Sequence, residues 1–292
     1  MSQSPRERAA GLECFRGNVD PTPIEGGITN ANFVVEDRGE RYFVRIGEDI
    51  PIHGVMRFNE VAASRAAAAA GISPAVVHSE PGALVLRFIE GATLDAAALT
   101  DPEQLDRALA LVLRCHRDLR DHLEGPTLAF PVFHVIRSYL HTLERDRHPR
   151  ATECPKWRAT VQELEVQIPE RGIVFGHNDL LAANFIDDGD RLWLVDWDYA
   201  GWSSPYFDLA GLAANNEFDS EREERLLRGY FGEEAGALEV RRGFAAMKCA
   251  ALLREALWSA VSETHSTLDF DYQAYTAQGL ERLARALAKL EA

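Results

Sequence analysis

Lysine is almost missing from this chain of 292 residues: Lys156, Lys248 and Lys289 are its whole supply, and the first half holds none. Arginine therefore carries nearly all of the positive charge, and it is outnumbered. The 31 basic residues face 46 acidic ones, a net charge of −15 at pH 7, with most of the acidic excess after residue 150. A surface this acidic repels nucleic acid and anionic membranes and favours a cationic ligand, when it does not serve solubility alone. Cysteine is scarce as well. Cys14, Cys115, Cys154 and Cys249 are scattered without a CxxC pair, so they read as reduced, mostly buried thiols and the compartment as the cytoplasm. Long apolar runs are missing too. Nothing approaches the roughly eighteen residues of a membrane span, and the polar opening Met1-Ser-Gln-Ser-Pro-Arg-Glu lacks a signal peptide's apolar core.

The composition is 46% hydrophobic and 26% charged, ordinary for a globular chain and long enough for one large domain or two lobes sharing a cleft. The first part alternates short strands with turns. A helical stretch near 5–16 precedes strand-like runs at 24–28, 31–36 and 41–46, the last two flanking Asp37-Arg-Gly-Glu as a hairpin. An alanine-rich helix over 57–70 stops at Gly71, with Pro74 just beyond, and strands at 75–78 and 83–89 flank Glu80-Pro-Gly. That order predicts an antiparallel sheet and excludes a Rossmann alternation. After Gly91 the pattern turns helical (101–120, 132–146, 155–167 and onward to the end), broken by one interval at 172–200. The expected fold class is α+β and bilobal, residues 1–90 forming a small sheet lobe with one helix and residues 91–292 a larger, mostly helical lobe. A cleft between two such lobes is the default ligand site.

The 172–200 interval carries the chemistry. His177, Asp179 and Asn184 follow the spacing HxDxxxxN between two apolar runs, and Asp196 ends the strand-like run Leu192-Trp-Leu-Val after the turn Asp187-Asp-Gly-Asp. Phosphoryl transfer from ATP needs a group that orients and deprotonates the attacking hydroxyl, and hard oxygen ligands for the Mg²⁺ on the phosphates. Asp179 suits the first task; Asn184 and Asp196 suit the second. A lone Asp or Asn in a loop more often caps a turn, but the full set in a helical lobe behind a small sheet does not read that way.

The residues from 174 to 217 resemble the catalytic core of the choline/ethanolamine kinase family, within the wider aminoglycoside-phosphotransferase-like and protein-kinase-like group. VDWDYAG at 195–201 followed by FDLA at 207–210 carries the resemblance most specifically; Gly26-Gly-Ile-Thr-Asn, Arg87-Phe-Ile-Glu-Gly and Leu257-Trp-Ser extend it over most of the chain. The resemblance implies a protein-kinase-like fold with Asp179 as the catalytic base, and with Asn184 and Asp196 as Mg²⁺ ligands. It further implies Asp208 as an internal buttress of the catalytic loop and His177 as the residue that fixes the loop's backbone. Asp198 is placed to reach the metal or the substrate's cation.

For ATP, Gly26 and Gly27 ahead of Thr29 and Asn30 supply a turn whose N–H groups approach phosphate, in the place where a kinase phosphate loop belongs. Arg45, in Tyr42-Phe-Val-Arg-Ile, stands where kinases carry a lysine, with Glu60 on the next helix as its partner. Choline-kinase-like enzymes resemble this chain in using arginine there, and a guanidinium grips phosphate as a fork. Adenine would bond to the backbone near Arg87, Phe88 and Ile89. The resemblance also places an aromatic cage for a small cationic alcohol on Tyr199, Trp258, Phe270 and Tyr275. Two positions depart from the eukaryotic enzymes. Glu255 stands where a second tryptophan belongs, and Asn215 where a glutamate belongs, with Glu217 two residues on. Choline or ethanolamine leads as the substrate; thiamine, homoserine and an aminoglycoside remain alternatives, and intact Asp179, Asn184 and Asp196 speak against a pseudokinase.

Overall fold

The structure, a computed structural model, describes residues 3–24 and 30–291. It opens with α1 (Pro5–Ala10), started by a reciprocal Ser4–Glu7 capping box with Pro5 in the first turn. The sequence pattern extends this helix to residue 16, but Gly11 ends it, its N–H closing onto the carbonyls of Glu7 and Arg8. The sheet follows: β1 (Thr22–Pro23), β2 (Ala31–Asp37), β3 (Glu40–Ile46), β4 (Val76–Glu80) and β5 (Ala83–Arg87), antiparallel throughout, in the order β1-β2-β3-β5-β4. The expected strand over 24–28 lies mostly outside the described residues. The β2–β3 hairpin turns on Arg38 and Gly39, both left-handed at φ 55° and 81°, the two-residue turn whose twist matches paired strands.

Alternation along the strands gives this sheet two chemically different faces. Phe33, Val35, Val44, Ile46 and Val85 point to one side, where they bury against Ala9 and Leu12 beyond α1. The residues between them, among them Asn32, Phe43, Arg45, Leu84 and Leu86, line a cavity of about 420 Å³ on the other side. One strand thus sends Val44 into a core and Arg45 into a cleft.

Helix α2 (Arg57–Ala69) crosses between β3 and β4. Its Ala63, Ala66 and Ala67 belong to the large core of the helical part, because small side chains let the helix approach it closely. Gly71 ends the helix at φ 67°, and the Ile72 N–H returns to the Ala67 carbonyl at 2.8 Å.

The remainder is helical around three small strand pairings. In chain order it runs β6 (Ala92–Thr93), α3 (Pro102–Asp118), α4 (Val132–Arg145), α5 (Cys154–Glu165), β7 (Val174–Gly176), β8 (Phe185–Asp187), β9 (Leu192–Leu194), β10 (Gly201–Ser203), α6 (Pro205–Asn215), α7 (Ser220–Phe231), α8 (Leu238–His265) and α9 (Tyr272–Glu291). Helix α8 is the hub, packed by α4, α5, α6 and α9. It meets α9 closely enough that a Cβ added at Gly279 would lie 3.1 Å from that of Ala256. Strand β7 pairs with β10, and β8 pairs with β6 and β9, so both ends of the 172–200 interval are pinned. Among the described residues no helix is long and apolar enough to cross a membrane.

Candidate active site

The loop after β7 is built on one buried carboxylate. Asp208, in the first turn of α6, accepts the main-chain N–H of His177 at 2.8 Å and of Asn178 at 2.6 Å, and His116 Nε2 lies 2.8 Å from it. Burial alone would raise this carboxyl; the hydrogen bond from His116, with that from the Asn178 amide, outweighs it and holds the group below the usual carboxylate range. A side chain at Gly176 would meet the Asp208 carboxylate at 2.7 Å, which explains the glycine there. Asn178 takes a left-handed φ of 64°, and its Nδ2 donates to the Tyr199 and Gly201 carbonyls at 3.0 and 3.2 Å, tying the loop to the strand opposite.

His177 is fully buried. Its Nδ1 accepts the Asp179 N–H at 3.3 Å and its Nε2 lies 2.9 Å from the Val195 carbonyl. Those partners require a proton on Nε2 and none on Nδ1, and burial pushes the imidazole's pKa down, so the ring is a neutral brace between the loop and the strand end before Asp196. Asp179, half-buried at the loop's tip, is different. Burial is the largest influence on it; Arg254 opposes that, Glu255, Asp196 and Asp198 add to it, and the carboxyl is pushed up to about 8. A carboxylate poised there can take a proton near neutral pH.

Asn184 donates from Nδ2 to the Asp179 carbonyl at 2.8 Å, which leaves its amide oxygen for a ligand. Asp196 sits at φ 70°, a left-handed bend that separates its carboxylate from the strand behind it. Both line the 420 Å³ cavity. One amide oxygen and one carboxylate are hard donors that fit Mg²⁺ when phosphates and water complete the shell. Among the described residues no group of three or more His, Cys, Asp and Glu side chains could hold a metal by itself.

Across the cavity, Arg45 Nη1 lies 2.7 Å from Glu60, 2.9 Å from Asp196 and 2.8 Å from Asp198. These three carboxylates push the guanidinium well above its ordinary value in spite of burial. Arg57, which the sequence reading missed, joins the same cluster. It donates to Glu60 at 2.5 Å, to Asp198 at 2.8 Å and to the Asn30 side-chain oxygen at 2.8 Å. Its place three residues before Glu60 on one helix face was the available signal. Burial works against the charge of Asp198, yet Arg45 and Arg57 hold it below the usual range. Asp198 is therefore committed to the arginines on the sheet side of the cleft, not open to a substrate cation. Asn30 faces Asp198 at 3.2 Å, while Gly26, Gly27 and Thr29 lie outside the described residues. Arg87, Phe88 and Ile89 line the far end of the cavity, the Arg87 side chain turning outward to pair with Glu40.

The expected cage residues are spread over two helices, α8 and α9, and the loops before β10 and α9. Trp258 is buried, its ring 5.5 Å from His53 and 6.1 Å from Tyr272. Phe270 and Tyr275 stand 5.6 Å apart, edge to face, and the Tyr275 hydroxyl donates to Glu255 at 2.9 Å. Tyr199 is covered by Arg254, whose guanidinium carbon lies 4.5 Å from the ring centre. Glu217 is largely exposed after α6, 3.6 Å from Arg282. Arg254 and His116 went unnoticed in the sequence because one lies amid a helical apolar run and the other 92 residues from its partner.

Residues 20–244 match the phosphotransferase enzyme family. The chain belongs to that family. Ethanolamine kinase 2 of Mus musculus is 28% identical to this phosphotransferase in an alignment of 280 positions that covers 86% of this chain and 72% of the relative. A choline/ethanolamine kinase family protein from Mesorhizobium loti superposes with a TM-score of 0.76 at 29% identity, covering 98% of this chain and 94% of its own. The choline kinase LicA of Streptococcus pneumoniae does so with a TM-score of 0.75 at 25% identity, covering 94% of each chain. The α+β fold, with an N-terminal antiparallel sheet and a helical C-terminal part, is that of the choline kinase crystal structures. The phosphotransferase is thus a homologue of choline and ethanolamine kinases.

Proposed function

We propose that this protein transfers the γ-phosphoryl group of ATP, bound with Mg²⁺, to the hydroxyl of a small amino alcohol. The observation that carries this is the hold of Asn184 Nδ2 on the Asp179 main-chain carbonyl, which keeps Asp179, with its raised carboxyl, and Asn184 on one loop, while Arg45 reaches Asp196 in the cavity that Asn184 and Asp196 line. Arg45 on the sheet, held by Glu60 of α2, grips the nucleotide, and the backbone near Phe88 and Ile89 holds its base. In this reading residues 1–90 form the nucleotide lobe and residues 91–292 the lobe that binds the alcohol.

Asp179 orients the alcohol and takes its proton. The alcohol oxygen then forms a bond to the γ-phosphorus as the bond to the β–γ bridging oxygen breaks, and ADP leaves. Magnesium, held by Asn184 and Asp196, would neutralise phosphate charge. His177 and Asp208 keep the loop in register and touch no reacting atom. The relatives named above make choline and ethanolamine the first candidates, and the free thiols of all four cysteines are consistent with the cytoplasm.

A screen of Mg-ATP consumption against choline, ethanolamine, thiamine, homoserine and an aminoglycoside tests the reading. Acceptor-dependent ADP release with one of the first two supports it; release with the aminoglycoside alone would replace the acceptor class, and none with any acceptor would remove the kinase assignment.

A further inference from the structure

The helical part contains a buried cation of its own, close enough to act on the Asp179 carboxyl. Arg254 is only 4% exposed, and its guanidinium carbon lies 4.5 Å from the centre of the Tyr199 ring and 5.3 Å from that of Phe130. Nη1 donates to Glu255 at 2.8 Å, but Nε and Nη2 are buried with no acceptor among the described residues. One helical turn further along α8, on the same face, Trp258 Nε1 is also buried without an acceptor, and so is the Tyr199 hydroxyl. Folded proteins seldom leave buried donors unmet, least of all those of a charged group. Glu255, the carboxylate beside them, is already divided between Arg254 and Tyr275.

This donor set does not suit a simple quaternary amine. A trimethylammonium accepts no hydrogen bond, and at the Tyr199 ring it would meet a fixed guanidinium where an open aromatic face is needed. A carboxylate is planar, singly charged and matched to the guanidinium fork. A phosphate would bring a second negative charge towards Asp179 and Glu255. We propose that Arg254 receives a carboxylate carried by the acceptor alcohol, so that the acceptor is a zwitterion with its carboxylate on Arg254, its ammonium towards Glu255 and its hydroxyl at Asp179. This inference rests on the alcohol-kinase reading for the hydroxyl alone.

Paired compounds differ by the carboxylate: L-serine adds it alone to ethanolamine, and L-carnitine adds it to choline as a carboxymethyl group on the carbinol carbon. The full-length protein is assayed for ADP release with Mg-ATP, and for calorimetric binding of each compound in the presence of Mg-ADP. The carboxylated member of a pair should bind and react at least tenfold better than its partner. Arg254→Gln should erase that ratio while leaving the KM for ATP within twofold, and Arg254→Lys should restore part of it. The wild-type pairs decide the question even if Arg254→Gln fails to fold. Turnover of ethanolamine or choline with no binding of serine or carnitine overturns the inference and leaves the kinase reading standing. Binding of serine or carnitine that Arg254→Gln abolishes, without ADP release, upholds the inference and overturns the kinase reading. A ratio unchanged in a folded Arg254→Gln, or no binding of either carboxylated compound, overturns the inference whatever the ADP assay gives.

Discussion

Arg45 Nη1 lies 2.9 Å from Asp196 Oδ1, one charged hydrogen bond joining a sheet strand to a strand end 151 residues away in the sequence. The same nitrogen is shared with Glu60 and Asp198, whereas Nη2 donates to no described residue, on a side chain that lines the cavity. Arg45→Lys keeps the charge but loses this second arm. The KM for ATP should rise about tenfold, equivalent to about 1.4 kcal/mol, and the KM for the alcohol should stay level. Steady-state kinetics with each substrate varied in turn checks it; equal ATP constants would make Arg45 a point charge only.

Asp179→Asn should lower kcat by about 10²–10⁴ while ATP binding persists, because the proposed mechanism has the carboxylate act on the attacking hydroxyl and not on the nucleotide. Its pKa gives two further signatures. The carboxyl moves from an ordinary 3.8 to about 8, so activity should climb as pH rises through about 8. The native state also holds a proton that the unfolded chain releases, so this group's contribution to stability is complete below about pH 4 and lost as pH rises to about 8. The Tm of the ligand-free protein should fall across that window, and Asp179→Asn should flatten the fall. Parallel pH–Tm curves for the two proteins would contradict the raised carboxyl.

Asp196→Ala removes a proposed metal ligand and a partner of Arg45 together. Nucleotide affinity should become less dependent on Mg²⁺, and kcat should drop. A Mg²⁺ titration followed by nucleotide fluorescence reads the effect, and an unmoved midpoint would count against Asp196 as a ligand.

Asp208→Asn leaves three donors around one amide, whose own NH₂ must then face an N–H. A loss of about 3 kcal/mol in unfolding free energy is expected from buried hydrogen bonds to a charge, together with a lower kcat as the His177–Asp179 loop loosens. Urea unfolding should show a lower midpoint at unchanged slope. A midpoint equal to wild type would mean that the loop is held elsewhere.

Where a feature depends on neighbours along the chain, the sequence alone determined it. The hairpin at Arg38-Gly39, the helix stop at Gly71, and the chain order of sheet before helices follow from backbone preferences and apolar spacing, which act over a few residues. The HxDxxxxN spacing was legible for the same reason: His177 braces the Asp179 amide two residues on, and Asn184 holds the Asp179 carbonyl. The exception at this range was Gly11, where the end of α1 set aside a longer helical pattern so that Leu12 could reach the small core. Tertiary structure decided the partners. That Asp198 belongs to Arg45 and Arg57, 153 and 141 residues away, that His116 lies against Asp208, and that Arg254 covers Tyr199 are consequences of which elements pack together. A charge or a ring face carries no mark in the sequence of what lies opposite it. Electrostatic pairing and stacking act through space at a few ångströms, and only the packed chain sets those distances.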